Sequence, residues 1–537
     1  MKRVLLIAAL MIGAWGVNAQ NFTRQDSLRG SITPEREWWN LNYYHLDVKV
    51  EPSKKFISGS NLVRYKVLKE AKTLQIDLQE PMKIESITQD GKKLKFNSEG
   101  NAHFIKLKKK QVPGDFNELK ITYSGNPQEA KNAPWDGGFS WDTDENGNPF
   151  VATSCQGLGA SVFWPNKDHM YDEVDSMRIS VTVPKDLMDV SNGQLESVED
   201  KGDFKTFNWV VKNPINNYGV NINIGNYVHF GETYDGEKGP LKVDYYVLPE
   251  NLEKAKKQFA QTSMMLRAFE HWFGPYPFYE DGFKLVEVPY LGMEHQSSVT
   301  YGNKYQNGYL GRDLSKTGWG LQFDFIIIHE AGHEWFANNI TYKDIADMWV
   351  HEGFTAYSEN LYLDYHYGTN ASAEYVIGTR DNIRNDSPII GPYGVNKSGS
   401  GDMYYKGANM LHTLRQLIED DELWRQILRG LNKDFYHQTV TTQQIEDYIS
   451  EKSGKDLSAF FNQYLRSTLI PTLEYKMDGE NMTYRYVDVV EDFDMPIRVF
   501  VDGSEKWLFP NSEWKTEKLE GSNLIFDKNF YIETNKM

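Results

Sequence analysis

The chain has 537 residues, 40% of them hydrophobic and 14% aromatic, an ordinary globular composition with material for more than one core, and three domains are expected. The formal net charge of −17, from 58 basic and 75 acidic residues, disfavours nucleic acid and anionic membrane surfaces as partners. A single cysteine, Cys155, excludes an internal disulfide framework.

In chain order, Lys2 and Arg3 precede an apolar run over residues 4–17, and Val17-Asn18-Ala19 is a small-residue cleavage pattern. Residues 1–19 therefore read as a secretory signal peptide, implying a periplasmic or secreted protein. No later stretch reaches about 18 uninterrupted apolar residues, so no transmembrane segment is expected. Residues 20–235 read as an antiparallel β domain. Tyr44, Leu46, Val48 and Val50 alternate with polar neighbours, as do Leu74, Ile76 and Leu78, and Met177, Ile179, Val181 and Val183. Asp90-Gly91 is a hairpin signal. The run from Asp142 to Gly147 opens like a calcium loop, but its twelfth position is Thr153 where a bidentate glutamate is needed, so it reads as a solvated acidic turn. Gly157-Leu158-Gly159 lacks the third glycine of a dinucleotide site.

A second domain is expected over residues 236–469. Leu252, Ala255, Phe259, Leu266 and Phe269 keep the spacing of one helix, which Gly274, Pro275 and Pro277 stop. A strand over residues 283–289 leads into Leu291-Gly292-Met293-Glu294-His295. His329 and His333 follow, four apart and hence on one helical face, with Glu330 beside them. Two imidazoles on one face can point at one ion, and a catalytic zinc takes a third protein donor while keeping its fourth position for water. Glu352, with eighteen residues between it and His333, supplies that donor from a second helix. A glycine-rich loop over residues 391–401 then delivers Tyr404-Tyr405-Lys406-Gly407, and further helices lie around Met410, Ile445 and Phe460. Alternation returns from Pro471 in Tyr484 and Tyr486 and again in Ile497, Val499 and Val501, giving a small C-terminal β domain over residues 470–537.

These residues resemble a known family. His329-Glu330-Ala331-Gly332-His333 with Glu352 in Trp349-Val350-His351-Glu352-Gly353-Phe354 is similar to the gluzincin aminopeptidases of peptidase family M-one, the alanyl aminopeptidase and leukotriene epoxide hydrolase group. Phe273-Gly274-Pro275-Tyr276-Pro277 resembles the family's entry to its catalytic domain, and residues 291–295 its Gly-x-Met-Glu-Asn exopeptidase motif. Tyr404-x-Lys406-Gly407 resembles its catalytic tyrosine motif. The resemblance implies a multidomain α+β fold: an N-terminal antiparallel β saddle, a thermolysin-like catalytic domain and a small C-terminal β-sandwich, in a short form without the large C-terminal helical domain of many members. Two positions depart from the family pattern, Leu291 for glycine and His295 for asparagine.

From the resemblance and the residues together come the expected roles. One Zn2+ per chain is held by His329, His333 and Glu352; Glu330 is the general base; Tyr404 is the oxyanion donor. Glu294, aided by Gln156 from the β domain, binds the substrate's α-ammonium, and Gly292 and Met293 lie along the peptide backbone. Glu359, seven residues after Glu352, is a candidate partner of a ligating histidine. The expected substrates are peptides with a free N-terminus. An epoxide hydrolase or endopeptidase on the same scaffold, or a non-catalytic peptide-binding protein, are the rival readings, the last opposed by the intact Glu330.

Overall fold

The computed structural model describes residues 21–537, so the signal peptide expected over residues 1–19 lies outside the described residues. An N-terminal β-rich domain is followed by a mainly helical middle domain and a C-terminal β region. Among the described residues, no helix is long and apolar enough to cross a membrane.

The alternating segment around Tyr44 is the strand Trp39–Glu51, whose Leu46, Val48 and Val50 are fully buried while Asp47 faces solvent. It sits inside an eight-stranded sheet, antiparallel to Phe56–Val67 on one side. On the other side it runs parallel to Ser176–Pro184, with Leu46 opposite Ile179, so the sheet is not antiparallel throughout. Alternation reports which face is buried and not strand direction, which is why the parallel junction was illegible. Asp90 and Gly91 both take positive φ, 48° and 71°, in the tight turn joining Lys83–Gln89 to Lys92–Lys93. The Asp144 carboxylate accepts from the Asn146 and Asn148 amides and the Asn148 side chain, so the acidic turn is closed by its own aspartate. A second, four-stranded sheet contains Pro149–Ser154, which ends two residues before Gln156 and delivers that residue to the border with the middle domain.

The middle domain is built on a five-stranded sheet in the order Val228–Gly236, Gly239–Val247, Phe283–Glu287, Val299–Tyr301, Gly292–Met293. The boundary expected at 235/236 cuts the first hairpin of this sheet, in which Gly236 pairs with Gly239. Strand alternation runs on through this hairpin, and periodicity alone does not say which sheet its strands join. The single helix expected from Leu252 to Phe269 is two, Leu252–Gln258 and Gln261–Phe273; Phe259, at the break, packs edge-on to Tyr301 of the sheet at 4.9 Å. The short strand Gly292–Met293 is the sheet's edge and lies against the helix that carries His329, with Ile326 and Glu330 packed at Gly292. The C-terminal region has a four-stranded and a three-stranded sheet, and its buried Tyr484, Tyr486, Ile497 and Val499 join the same apolar core as the helices of the middle domain.

Candidate active site

Asp324 caps the helix Phe325–Gly332: its carboxylate accepts from the Ile326 and Ile327 amides and from the side chains of Gln258, Tyr301 and Asn303. His329 lies in the last turn. His333 is the first residue beyond it, still at φ −65° and ψ −17°, so the two rings keep one face, with centroids 5.0 Å apart. The chain then leaves helical geometry at Phe336, φ −124° and ψ 79°. This kink turns the Phe336 carbonyl onto His333 Nδ1 at 3.0 Å. A carbonyl only accepts, so Nδ1 holds the proton and Nε2 presents its lone pair. His329 is oriented the same way by Glu359, whose Oε1 is 2.7 Å from Nδ1 and whose other oxygen accepts from the Tyr375 hydroxyl.

Glu352 rises from the helix Trp349–Tyr367. Its Oε2 lies 3.3 Å from His333 Nε2 and 3.7 Å from His329 Nε2, and has no hydrogen-bond partner although buried. Two aimed lone pairs and an unpartnered buried carboxylate oxygen, converging, are the donor set of a divalent cation such as zinc. Electrostatics agree. Burial opposes the protonated form of both histidines, yet Glu352 and the neighbouring carboxylates outweigh it and raise their pKa values, so the pocket holds an excess of negative charge that a cation would neutralise. Glycines permit the approach: a β-carbon on Gly332 would stand 2.6 Å from Ser358 Oγ, and one on Gly407 would stand 3.0 Å from the Gly353 Cα.

Glu294 follows the edge strand Gly292–Met293 and is buried. Gln156 crosses from the β domain and turns its amide NH2 onto Glu294 Oε1 at 2.6 Å and Glu352 Oε1 at 2.9 Å, tying the first to the metal donors. Burial pushes the Glu330 carboxyl up to about 7, against the pull of His329 and with Glu294 adding to the rise. Tyr404, just before the helix Tyr405–Ile418, stacks near His329 at 6.0 Å between ring centroids. Burial, then Glu352, Glu294 and Glu330, raise its pKa, so it stays a donor. All nine residues singled out from the sequence, Gln156, Gly292, Met293, Glu294, His329, Glu330, His333, Glu352 and Tyr404, line one cleft of about 250 Å3.

With that geometry in view, residues 40–218 match the peptidase M1 N-terminal domain and residues 258–464 the peptidase family M1 domain. This chain belongs to peptidase family M1. Among M1 relatives, a probable aminopeptidase 1 of Sulfurisphaera tokodaii is 21% identical over 83% of this chain and 56% of its own length. The leukotriene A-4 hydrolase of Xenopus laevis is 22% identical over 78% of this chain and 68% of its own. The chain spans about half the length of the first of these relatives. A crystal structure of a mutant M1 zinc metallopeptidase from Deinococcus radiodurans, bound to a Tyr-Ser-Ala substrate, shares the fold with a TM-score of 0.69 at 20% identity, covering 82% of this chain and 98% of that one.

The two departures from the M1 pattern fall outside the cleft: neither Leu291 nor His295 lines it. His295 is fully buried, 3.3 Å from Thr300 Oγ1, and burial holds its pKa down to about 3, so it is neutral. Sequence reasoning missed the other lining residues, Pro134, Trp135, Gly157, Ile345, Met348 and Ser398, which come from loops and short turns without periodicity. It also missed Thr355, whose Oγ1 is 3.0 Å from His333 Nδ1; its position three residues after Glu352, on the same helical face, was the available signal.

Proposed function

We propose that this chain is a zinc aminopeptidase that removes residues from the free N-terminus of peptides, with one zinc held by His329, His333 and Glu352. What carries the reading is the contact of Gln156 with both Glu294 and Glu352: an amide and a carboxylate suited to a substrate ammonium stand beside the metal donors. A cation-recognising carboxylate one residue's length from the reacting centre counts residues from the chain end. The relatives called aminopeptidases and the neighbour described with a tripeptide substrate support it.

Bound zinc would supply Lewis acidity, polarising the peptide carbonyl and lowering the pKa of a bound water from 15.7 to about 7. The remaining work falls to side chains. Glu330 takes the proton of the attacking water on its carboxylate and passes it to the departing amide nitrogen. The Tyr404 hydroxyl donates to the carbonyl oxygen as negative charge builds there. Glu294 accepts from the α-ammonium, while Gln156 holds that carboxylate through its NH2 and leaves its Oε1 as a second acceptor. Gly292 and Met293 offer backbone groups of a sheet edge to the extended substrate. Export directed by residues 1–19 would put this activity outside the cytoplasm.

The test is a peptide supplied with a free or an acetylated N-terminus and followed by mass spectrometry, with and without chelator. Stepwise loss from the free end alone, abolished by the chelator and restored by zinc, is expected. Internal cleavage of the acetylated peptide would contradict the proposal.

A further inference from the structure

Residues 21–39 precede both matched M1 domains, yet they fold onto the cleft's supports. A short helix, Arg24–Gly30, is closed at its start by a reciprocal cap between Thr23 and Asp26. It is fastened to the β domain by the fully buried Arg36, which bonds Asp77 at 2.6 Å and the Ser31 carbonyl at 2.8 Å. At its other end Arg29 makes two connections. One nitrogen pairs with the Asp168 carboxylate at 3.0 Å and bonds the Asp168 carbonyl; the other donates to the Leu158 carbonyl at 3.3 Å.

Leu158 belongs to the turn that carries Gln156, since its amide donates to the Gln156 carbonyl at 2.8 Å. Gly159 in the same turn is glycine for space: a β-carbon there would stand 1.8 Å from the Arg29 guanidinium and 2.4 Å from Asp168 Oδ2. The next residue, Gly30, meets the middle domain. A β-carbon on it would stand 2.2 Å from the Val395 carbonyl carbon and 2.3 Å from the Asn396 nitrogen, so the helix end lies backbone against backbone on the loop that leads to Tyr404. Asn396 then closes the circuit by donating to the Gly157 carbonyl at 2.8 Å. Both joined segments reach the cleft, through Gln156 and Gly157 on one side and Ser398 and Tyr404 on the other.

We propose that the segment Arg24–Gly30 is a latch that holds the Gln156 turn against the loop of residues 391–401, and that Arg29 is a positioning residue for the ammonium-binding end of the cleft, acting through Gln156. The assignment rests on the aminopeptidase reading for its kinetic consequence, but not for the latch itself. Arg29 touches neither Glu294 nor the metal donors, so its removal weakens ground-state placement of the substrate and leaves the donor set intact.

The test uses the full-length zinc-loaded protein and its R29A, R29K, Q156A and R29A/Q156A variants. On an amino acid p-nitroanilide, R29A is expected to raise KM about tenfold with kcat within about twofold and zinc content unchanged. R29K, keeping the charge but not the two-sided fork, should recover part of the loss. In the double variant R29A should add nothing to Q156A, because both act through one group. Additive losses, an unchanged KM in R29A, or zinc loss in R29K would overturn the positioning role. Hydrogen exchange decides the latch independently of turnover: backbone amides of residues 155–159 and 391–401 should exchange faster in R29A than in wild type, and equal exchange in both segments would overturn it. A wild type without action on free N-termini would count against the aminopeptidase reading, while the exchange comparison would still settle the latch.

Discussion

Glu330 and Tyr404 face the same few ångströms of cleft and differ in the proton they handle, which separates them experimentally. Glu330 converges with Glu294 and His333 in a second acidic group but is not one of the His329, His333 and Glu352 donors proposed to hold the zinc, so its replacement is expected to spare the metal. E330Q is expected to keep its zinc while kcat falls about 10^3-fold, read by metal analysis alongside steady-state kinetics; turnover within tenfold of wild type would remove Glu330 as the base. In the proposed mechanism the Tyr404 hydroxyl is a donor that matters as charge develops. Y404F should therefore lower kcat about 10^2-fold with little change in KM, and a change confined to KM would make it a binding residue instead. At this scale the sequence was most legible where spacing has physical meaning: four positions from His329 to His333, seven from Glu352 to Glu359. Gln156 was placed through resemblance alone, because nothing in its own neighbourhood announces a carboxylate partner 138 residues away.

The helix Phe325–Gly332 does its work with both ends. Asp324 at the start takes two backbone amides and three side-chain donors, two of them buried, and the break after His333 yields the carbonyl that fixes the second imidazole. D324A removes a cap worth about 1 kcal/mol and strands donors that each cost about 1 to 3 kcal/mol unpaired, so a loss of about 3 kcal/mol is expected in urea unfolding. A loss under about 0.5 kcal/mol would show that packing of Ile326, Ile327 and Ile328 alone sets this helix. Element types were legible from periodicity, while their ends and partners were less so. The break at Phe336 has no proline or glycine to mark it, and the parallel pairing of Trp39–Glu51 with Ser176–Pro184 leaves no trace in alternation. Gly353 and Gly407 read as motif letters until the close approach of their two helices explained them.

For the whole molecule, the β-rich and middle domains meet at the cleft, and the side chains proposed to read the substrate come from both sides of that junction. The β domain sends Gln156 at the end of Pro149–Ser154, the edge strand of the middle sheet sends Glu294, and the paired helices send the metal donors. Composition and alternation announced a β-rich start, a helical middle and a β-rich end; the expected boundary at 235/236 cut the hairpin Val228–Gly236 with Gly239–Val247 because hydrogen bonding between strands, and not their pattern, assigns it to a sheet. The central claim is that this convergence reads a free N-terminus. It is tested most directly by the ratio of kcat/KM for leucine p-nitroanilide to that for its N-acetyl form, in wild type and in E294A. A charge-assisted contact worth about 3 kcal/mol predicts that E294A loses about 10^2-fold on the free-amine substrate, gains nothing on the acetylated one and keeps its zinc. Equal rates on both substrates in wild type, or an E294A variant as selective as wild type, would contradict the account.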